Sequence, residues 1–356
     1  MLDLTASSVD LTRIICDIPS VSDSETVLAD AIHAAVAALG HLEVHRDGDT
    51  IVARTMLGRA QRVVIAGHID TVPINANVPT RDIEVDGEPY LWGRGTVDMK
   101  AGVAVQLKLA AELTSPRVDV TWMWYDHEEV DADLNGLTRL AAVRPDLFAG
   151  DFAILGEPSN GQVEGGCNGN LRAIVRTDGV RSHSARAWMG QNAIHKAAPV
   201  LARLAEYRPR EIEVEGLVYR EGLNAVRIGG GVAGNVIPDL CEVEVNYRFA
   251  PNHTAAEAEE HVRSVFEGFD VEVVDLAVGA RPGLHAALAQ EFVAAVGAVP
   301  QPKYGWTDVA RFSALGVPAV NYGPGDPSLA HHDQERVSLA QIDAVEHGLR
   351  AWLTAV

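Results

Sequence analysis

The chain has 356 residues, 47% of them hydrophobic, and a formal net charge of −20 at neutral pH. That length allows more than one folding unit, and that apolar share supplies a sizeable core, which excludes a globally disordered chain. The acidic balance disfavours nucleic acid and anionic membranes as main partners and otherwise reads as a solubilising surface.

The N-terminus, Met1-Leu2-Asp3-Leu4, lacks the basic-then-apolar layout of a signal peptide, and no apolar run is long enough to cross a bilayer, so a cytoplasmic protein is expected. Helical spacing predicts a first helix over Ser8–Cys16, with Leu11, Ile14 and Ile15 on one side. Ile18-Pro19-Ser20-Val21-Ser22 interrupts it. Ser22-x-x-Glu25 has the form of a capping box opening a second helix that runs to about Leu39 and stops at Gly40. Leu42–Val44 and Ile51–Ala53 are short strands. The β-branched run Val63-Val64-Ile65-Ala66 is a buried strand ending in Gly67-His68-Ile69-Asp70-Thr71-Val72-Pro73. Alternation puts His68 and Asp70 on one face, and Pro73 stops the strand. Asn75–Glu88 is expected to be a polar surface loop. It leads into Gly93-Arg94-Gly95-Thr96-Val97-Asp98-Met99-Lys100-Ala101-Gly102, a Gly-rich turn holding Asp98 ahead of a helix over Val103–Leu113.

Val118–Tyr125 is a strand that runs into Asp126-His127-Glu128-Glu129, and Phe152–Leu155 is another that ends in Gly156-Glu157. Three strands thus end in His or acidic residues. In open α/β sheets the carboxyl ends of strands are where sites form. From Leu171 the pattern changes. Strands at Leu171–Thr177, Asn224–Ile228, Cys241–Phe249 and Val271–Leu276 alternate with helices at Asn192–Ala205 and Thr254–Phe266, in the order β-α-β-β-α-β of a split, ferredoxin-like unit. Leu284–Val296 and Leu339–Leu353 as helices and Val317–Asn321 as a strand return to the first domain. The expected fold is therefore α/β, with a central mixed sheet flanked by helices over residues 1–170 and 278–356 and an inserted ferredoxin-like α+β domain over 171–277.

A His and an Asp side by side at a strand end suit a metal site, with the His as ligand and the Asp orienting its ring. His68, Asp98, Glu129, Glu157 and His331 are candidate ligands with only N and O donors, which suits Zn²⁺, with Co²⁺ or Mn²⁺ as substitutes. Cys16, Cys167 and Cys241 have no paired spacing, which argues for a reducing compartment and against a thiolate-built zinc site. Two imidazoles and three carboxylates exceed what one tetrahedral metal needs. If Asp98 bridges, each of two metals keeps two further protein ligands and room for water.

Gly67-His68-x-Asp70-x-Val72-Pro73 followed by Gly93-Arg94-Gly95-x-x-Asp98-Met99-Lys100-x-Gly102 resembles the M20 family of metallo-aminoacylases and peptidases, and the likeness extends over nearly the whole chain. It implies two Zn²⁺ per subunit, with His68, Asp98 and Glu157 on one ion and Asp98, Glu129 and His331 on the other. It implies that Glu128 is the general base and that the Asp98–Met99 peptide is cis. His127 departs from the family, where a smaller residue is common. Ala330-His331-His332-Asp333-Gln334-Glu335-Arg336-Val337 resembles the family's Ala-His-x-x-x-Glu-x-Val, and counting back from Glu335 and Val337 selects His331 over His332.

In the inserted domain, Gly179-x-x-x-His183-Ser184-Ala185-Arg186 resembles the segment whose His crosses the interface of a homodimer, formed through this lid domain, to steady the oxyanion in the partner's site. Asn235 and Arg248 match the family residues that hold the substrate carboxylate, and Thr307 lies where family members place a turn that lines the pocket. Gly305-Trp306-Thr307-Asp308 with Asn321-Tyr322-Gly323-Pro324-Gly325-Asp326-Pro327 is most similar to members that release a succinyl group from an acylated diamino acid. Deacetylation of an acetylated amino acid, cleavage of a peptide, or a catalytically silent, metal-binding dimer on the same fold are the alternatives.

Overall fold

A computed structural model describes residues 2–355. The chain divides into two compact units, Met1–Gly165 with Pro282–Gln301 and Arg311–Val356, and Gly166–Arg281 with Pro302–Ala310. The segment Pro302–Ala310, expected with the first domain, therefore groups with the second unit.

The core of the first unit is a mixed sheet whose centre is parallel. Asp119–Tyr125, Arg62–His68, Phe152–Leu155 and Ala319–Asn321 lie side by side in that order. Every residue of Asp119–Tyr125 and Phe152–Leu155 is buried. A parallel strand covered on both faces has no solvent face to alternate with, which is why these stretches read as continuous apolar runs. The hairpin of Glu43–Asp47 and Thr50–Arg54 continues the sheet antiparallel to Asp119–Tyr125. Helices Ser8–Cys16, Lys100–Glu112 and Leu339–Thr354 pack against one another. Lys100–Glu112 is buried from Lys100 through Ala110, and Lys100 Nζ donates to Ile15 O and Ile18 O at the C-terminal end of the first helix, where a cation is favoured.

Within the first unit, two local expectations fail. The second helix, Thr26–Ala37, has Glu25 at its N-cap with no side-chain cap, because both halves of the expected capping box are engaged elsewhere. Ser22 Oγ donates to Asp70 Oδ2 at 2.8 Å, and Glu25 Oε1 accepts from the His127 amide at 3.2 Å. The expected loop at 75–88 contains most of an antiparallel hairpin, Arg81–Val85 with Glu88–Trp92, turned at Asp86-Gly87. Asp-Gly between alternating residues is the usual signal for such a turn.

The second unit holds a four-stranded antiparallel sheet in the order Gly222–Gly230, Leu240–Phe249, Gly169–Asp178, Asp270–Ala277. With helices after the first and third strands in chain order, this is the ferredoxin-like arrangement. Leu240–Phe249 alternates buried and half-buried side chains, as a strand covered on one face should. The expected helix at 192–205 is two, Ala193–Lys196 and Ala198–Glu206, broken where Pro199 enters a first turn. A further hairpin, Glu211–Val214 with Leu217–Arg220, has no counterpart in the expected elements. Among the described residues, no helix is long and apolar enough to cross a membrane.

Candidate metal centre at the carboxyl edge of the sheet

Strand register assembles the centre. His68 pairs with Tyr125 and Ala66 with Leu155, so the segments beginning at Ile69, Asp126 and Gly156 leave the sheet together at one edge. One ligand atom each from His68, Asp98 and Glu129 lies within 4.8 Å of the others, a grouping that could hold a metal ion. His68 Nε2 lies 3.0 Å from Asp98 Oδ1, while His331 Nε2 lies 3.3 Å from Asp98 Oδ2 and 3.0 Å from Glu129 Oε2. Asp98 thus turns each carboxylate oxygen to a different imidazole. His332 turns elsewhere, its Nδ1 accepting from the Gln334 amide at 3.0 Å.

The turn after Tyr125 is fixed from behind by Asp70. Its side chain is wholly buried and accepts from the amides of Glu128 and Glu129, both at 3.0 Å, besides Ser22 Oγ. The sequence suggested that Asp70 orients the His68 ring. The closer partner of His68 Nδ1 is the Asp70 carbonyl at 3.1 Å, with Asp70 Oδ1 at 3.4 Å. Donation from Nδ1 leaves the Nε2 lone pair for a ligand. His127, in the left-handed region at φ 58°, bridges Asp126 at 2.6 Å and Asp23 at 3.0 Å. Arg139 and Thr50 bind Asp126 from the other side. Sequence reading missed this bracing; its signal was the unusual His127.

Glu157 is buried two residues beyond its strand. Gly102 and Gly323 both press on the preceding residue: a Cβ on either would overlap the Gly156 carbonyl oxygen. The helix carrying Gly102 and the chain after Ala319–Asn321 therefore fix where Glu157 emerges. The Asp98–Met99 peptide is cis, as the resemblance implied.

The electrostatics fit a cation cluster. Burial disfavours a charged His68, yet hydrogen bonds to Asp70 and Asp98 raise its pKa well above the ordinary imidazole value. Hydrogen bonds to Asp98 and Glu129 push His331 up to about 10. Burial works against ionised Asp98, but the two imidazoles hold its pKa well below the usual carboxylate range. Three carboxylates, Asp70, Asp98 and Glu129, thus lie against the two imidazoles, an acidic excess that favours a cation. The N and O donors, two of them imidazole, fit a borderline divalent ion.

The remaining predicted residues lie in the second unit. Ser182-His183 pairs with Val236-Ile237, and the Ser184 amide donates to Asn235 O at 2.9 Å, which brings His183 and Asn235 together. His183 is exposed and its Nδ1 accepts from the Ala185 amide at 3.1 Å. Arg248 is half-buried on Leu240–Phe249, and burial lowers its pKa. Among the described residues, no carboxylate lies within ion-pair distance of its guanidinium. Thr307 is buried, its carbonyl facing the Cys167 thiol at 3.7 Å.

Known proteins share this chain's sequence and fold. The family model for peptidase family M20/M25/M40 matches residues 64–356. The chain is 51% identical over 356 residues to a candidate succinyl-diaminopimelate desuccinylase, DapE, of Mycobacterium tuberculosis, covering 99% of each chain. It is 46% identical to the succinyl-diaminopimelate desuccinylase of Corynebacterium glutamicum, covering 99% of this chain and 98% of that one. A tripeptidase from Staphylococcus aureus superposes with a TM-score of 0.79 at 20% identity, covering 99% of this chain and 98% of the other. An M20 metallo-carboxypeptidase from Sulfolobus solfataricus gives 0.76 at 16%, covering 98% of both. At such identities the structural likeness establishes the fold. The matched motifs and the relatives of near-full length establish the lineage: the chain belongs to peptidase family M20/M25/M40.

Proposed function

We propose that the chain is a metal-dependent amidohydrolase that cleaves N-succinyl-LL-2,6-diaminopimelate, with water, to succinate and LL-diaminopimelate, a step toward lysine. The observation that carries this reading is Asp98 set between two imidazoles at the carboxyl edge of the sheet, in a chain 46% identical to a desuccinylase over nearly its whole length. His68, Asp98 and Glu157 would hold one Zn²⁺, and Asp98, Glu129 and His331 a second; Co²⁺ or Mn²⁺ are substitutes. When bound, such a pair supplies Lewis-acid polarisation of the amide carbonyl and stabilises developing negative charge.

The protein's own groups do the rest. Glu128, its backbone held by Asp70, takes a proton from the attacking water and passes it to the departing amine. His183 accepts at Nδ1, so its proton sits on Nε2, the tautomer needed to donate to the oxyanion. Arg248 can fork two hydrogen bonds onto a substrate carboxylate, and we assign Asn235 and Thr307 to the same pocket.

We further infer a homodimer through the second unit. Its outer strand, Gly222–Gly230, presents exposed Val226 and Ile228 along an unpaired edge. In this reading each subunit lends His183 to its partner. His183→Ala and Glu128→Gln subunits, each nearly inactive alone, should recover activity on co-assembly; mixed dimers without activity would place His183 outside the partner's site. A cytoplasmic setting suits the three buried, unpaired cysteines. The deciding assay sets succinyl-diaminopimelate beside acetylornithine. Preference for the first by orders of magnitude in kcat/KM is expected. Preference for the second reassigns the substrate, and no hydrolysis of either by metal-loaded protein refutes the reading.

A further inference from the structure

The geometry assigns Glu335 as the positioning residue that sets the backbone of Asp98 for metal binding, an assignment that rests on the reading of Asp98 and His331 as ligands. Glu335 is fully buried. Its Oε1 accepts from the Val97 amide at 2.9 Å and the Asp98 amide at 3.2 Å. Its Oε2 accepts from Arg94 Nη1 at 2.7 Å, and its carbonyl accepts from the Gly93 amide at 3.0 Å. Arg94 Nε in turn donates to Pro73 O at 3.3 Å, at the end of the segment that carries His68 and Asp70. One carboxylate therefore ties together the turn of Asp98, the segment after His68 and the chain four residues beyond His331.

The arrangement is specific. A carboxylate buried from water needs donors on both oxygens, and here they are two successive amides and a guanidinium. Two adjacent amides aimed at one oxygen fix the peptide plane entering Asp98, and with it the direction in which the Asp98 carboxylate leaves. That direction matters because Asp98 must face His68 with one oxygen and His331 with the other. Because Glu335 and His331 share one short segment, the same clamp registers that segment against the Asp98 turn. Groups that orient ligands in this way typically contribute about 10–100-fold to metal affinity.

The test uses full-length protein stripped by chelator and titrated calorimetrically with Zn²⁺, alongside hydrogen–deuterium exchange of the stripped protein. Glu335→Gln keeps the shape, replaces the charged acceptor of the two amides by a weaker neutral one and turns a donor toward Arg94. We expect a cooperative fold, Zn²⁺ affinity about tenfold weaker, faster exchange at Val97 and Asp98, and activity restored by excess Zn²⁺. Glu335→Ala should lose more. Arg94→Met leaves both amide bonds intact and should keep slow exchange at Val97 and Asp98 and lose less affinity than Glu335→Gln. Wild-type affinity and exchange in Glu335→Gln overturn the assignment even if Glu335→Ala does not fold. An Arg94→Met variant that reproduces Glu335→Gln also overturns it, because the buried ion pair would then be the whole effect. A wild-type chain that binds no Zn²⁺ refutes the reading of the site itself, and normal protection at Val97 and Asp98 in that chain separates the two failures.

Discussion

The carboxyl edge of the first sheet and the antiparallel sheet of the second unit hold their functional side chains in opposite ways. At the edge, His68 and Asp70 are 1% and 0% exposed, Asp98 and Glu129 are 14% and 7% exposed, and His331 is the exposed member at 53%. Each is bonded to another member of the cluster or to a neighbouring amide. In the second unit, His183 is exposed and Arg248 makes no ion pair among the described residues. A cation site must be organised before its ion arrives, because unpaired buried carboxylates repel and are costly. A residue that meets a mobile, charged substrate gains from keeping its donors open until binding.

Chelation breaks this contrast at its stronger end. Removal of metal should abolish turnover, and Zn²⁺ or Co²⁺ should restore it. Metal analysis alongside the assay checks this; full activity in demonstrably metal-free protein would refute the centre. His331→Ala should lose metal as well as activity, whereas His332→Ala should lose neither.

Glu128→Gln sharpens the contrast within the edge, separating the proposed base from the proposed ligands. We expect kcat to fall by about 10²–10⁴-fold, with Zn²⁺ stoichiometry unchanged by titration. A decrease of only a few fold would remove Glu128 as the base.

At the opposite pole, Arg248→Met should act on substrate and leave metal content untouched. Loss of charge-assisted hydrogen bonds to a carboxylate costs about 2 kcal/mol, which is roughly 30-fold, expected mostly in KM. Arg248→Lys keeps the charge without the fork and should fall between. An unaltered KM in both would assign the carboxylate to another cation.

The smallest expected effect comes from Ser22→Ala, which removes a single 2.8 Å bond to Asp70. One hydrogen bond to a charged group sets the scale at about 1.5 kcal/mol. We expect roughly a tenfold fall in kcat with little change in melting temperature, because the helix at Thr26–Ala37 does not depend on Ser22 for its cap. A loss of helix stability without a kinetic effect would reinstate Ser22 as a cap.

Residue order alone carried much of this protein. The strand Phe152–Leu155 lies where its apolar run placed it, and the helix Ser8–Cys16 has the predicted limits. Both are decided by periodicity and burial, which sequence records directly. His68, Asp98 and Glu129 could be named as a group because each sits at a strand end or Gly-rich turn with a recognisable pattern around it. The tertiary structure decided which partners each carboxylate meets. Ser22 and Glu25 form a good local capping pattern, yet Asp70 and His127, 48 and 102 residues away, take them. His331 rather than His332 likewise meets Glu129, 202 residues before it, which supports the proposal of His331 as the ligand. The physical reason is the same in each case. A local hydrogen bond at a solvated helix end contributes about 1 kcal/mol, while leaving a buried carboxylate or amide unpaired costs more. Sequence shows which partners are near along the chain, but only the fold shows which groups are buried and therefore must be paired.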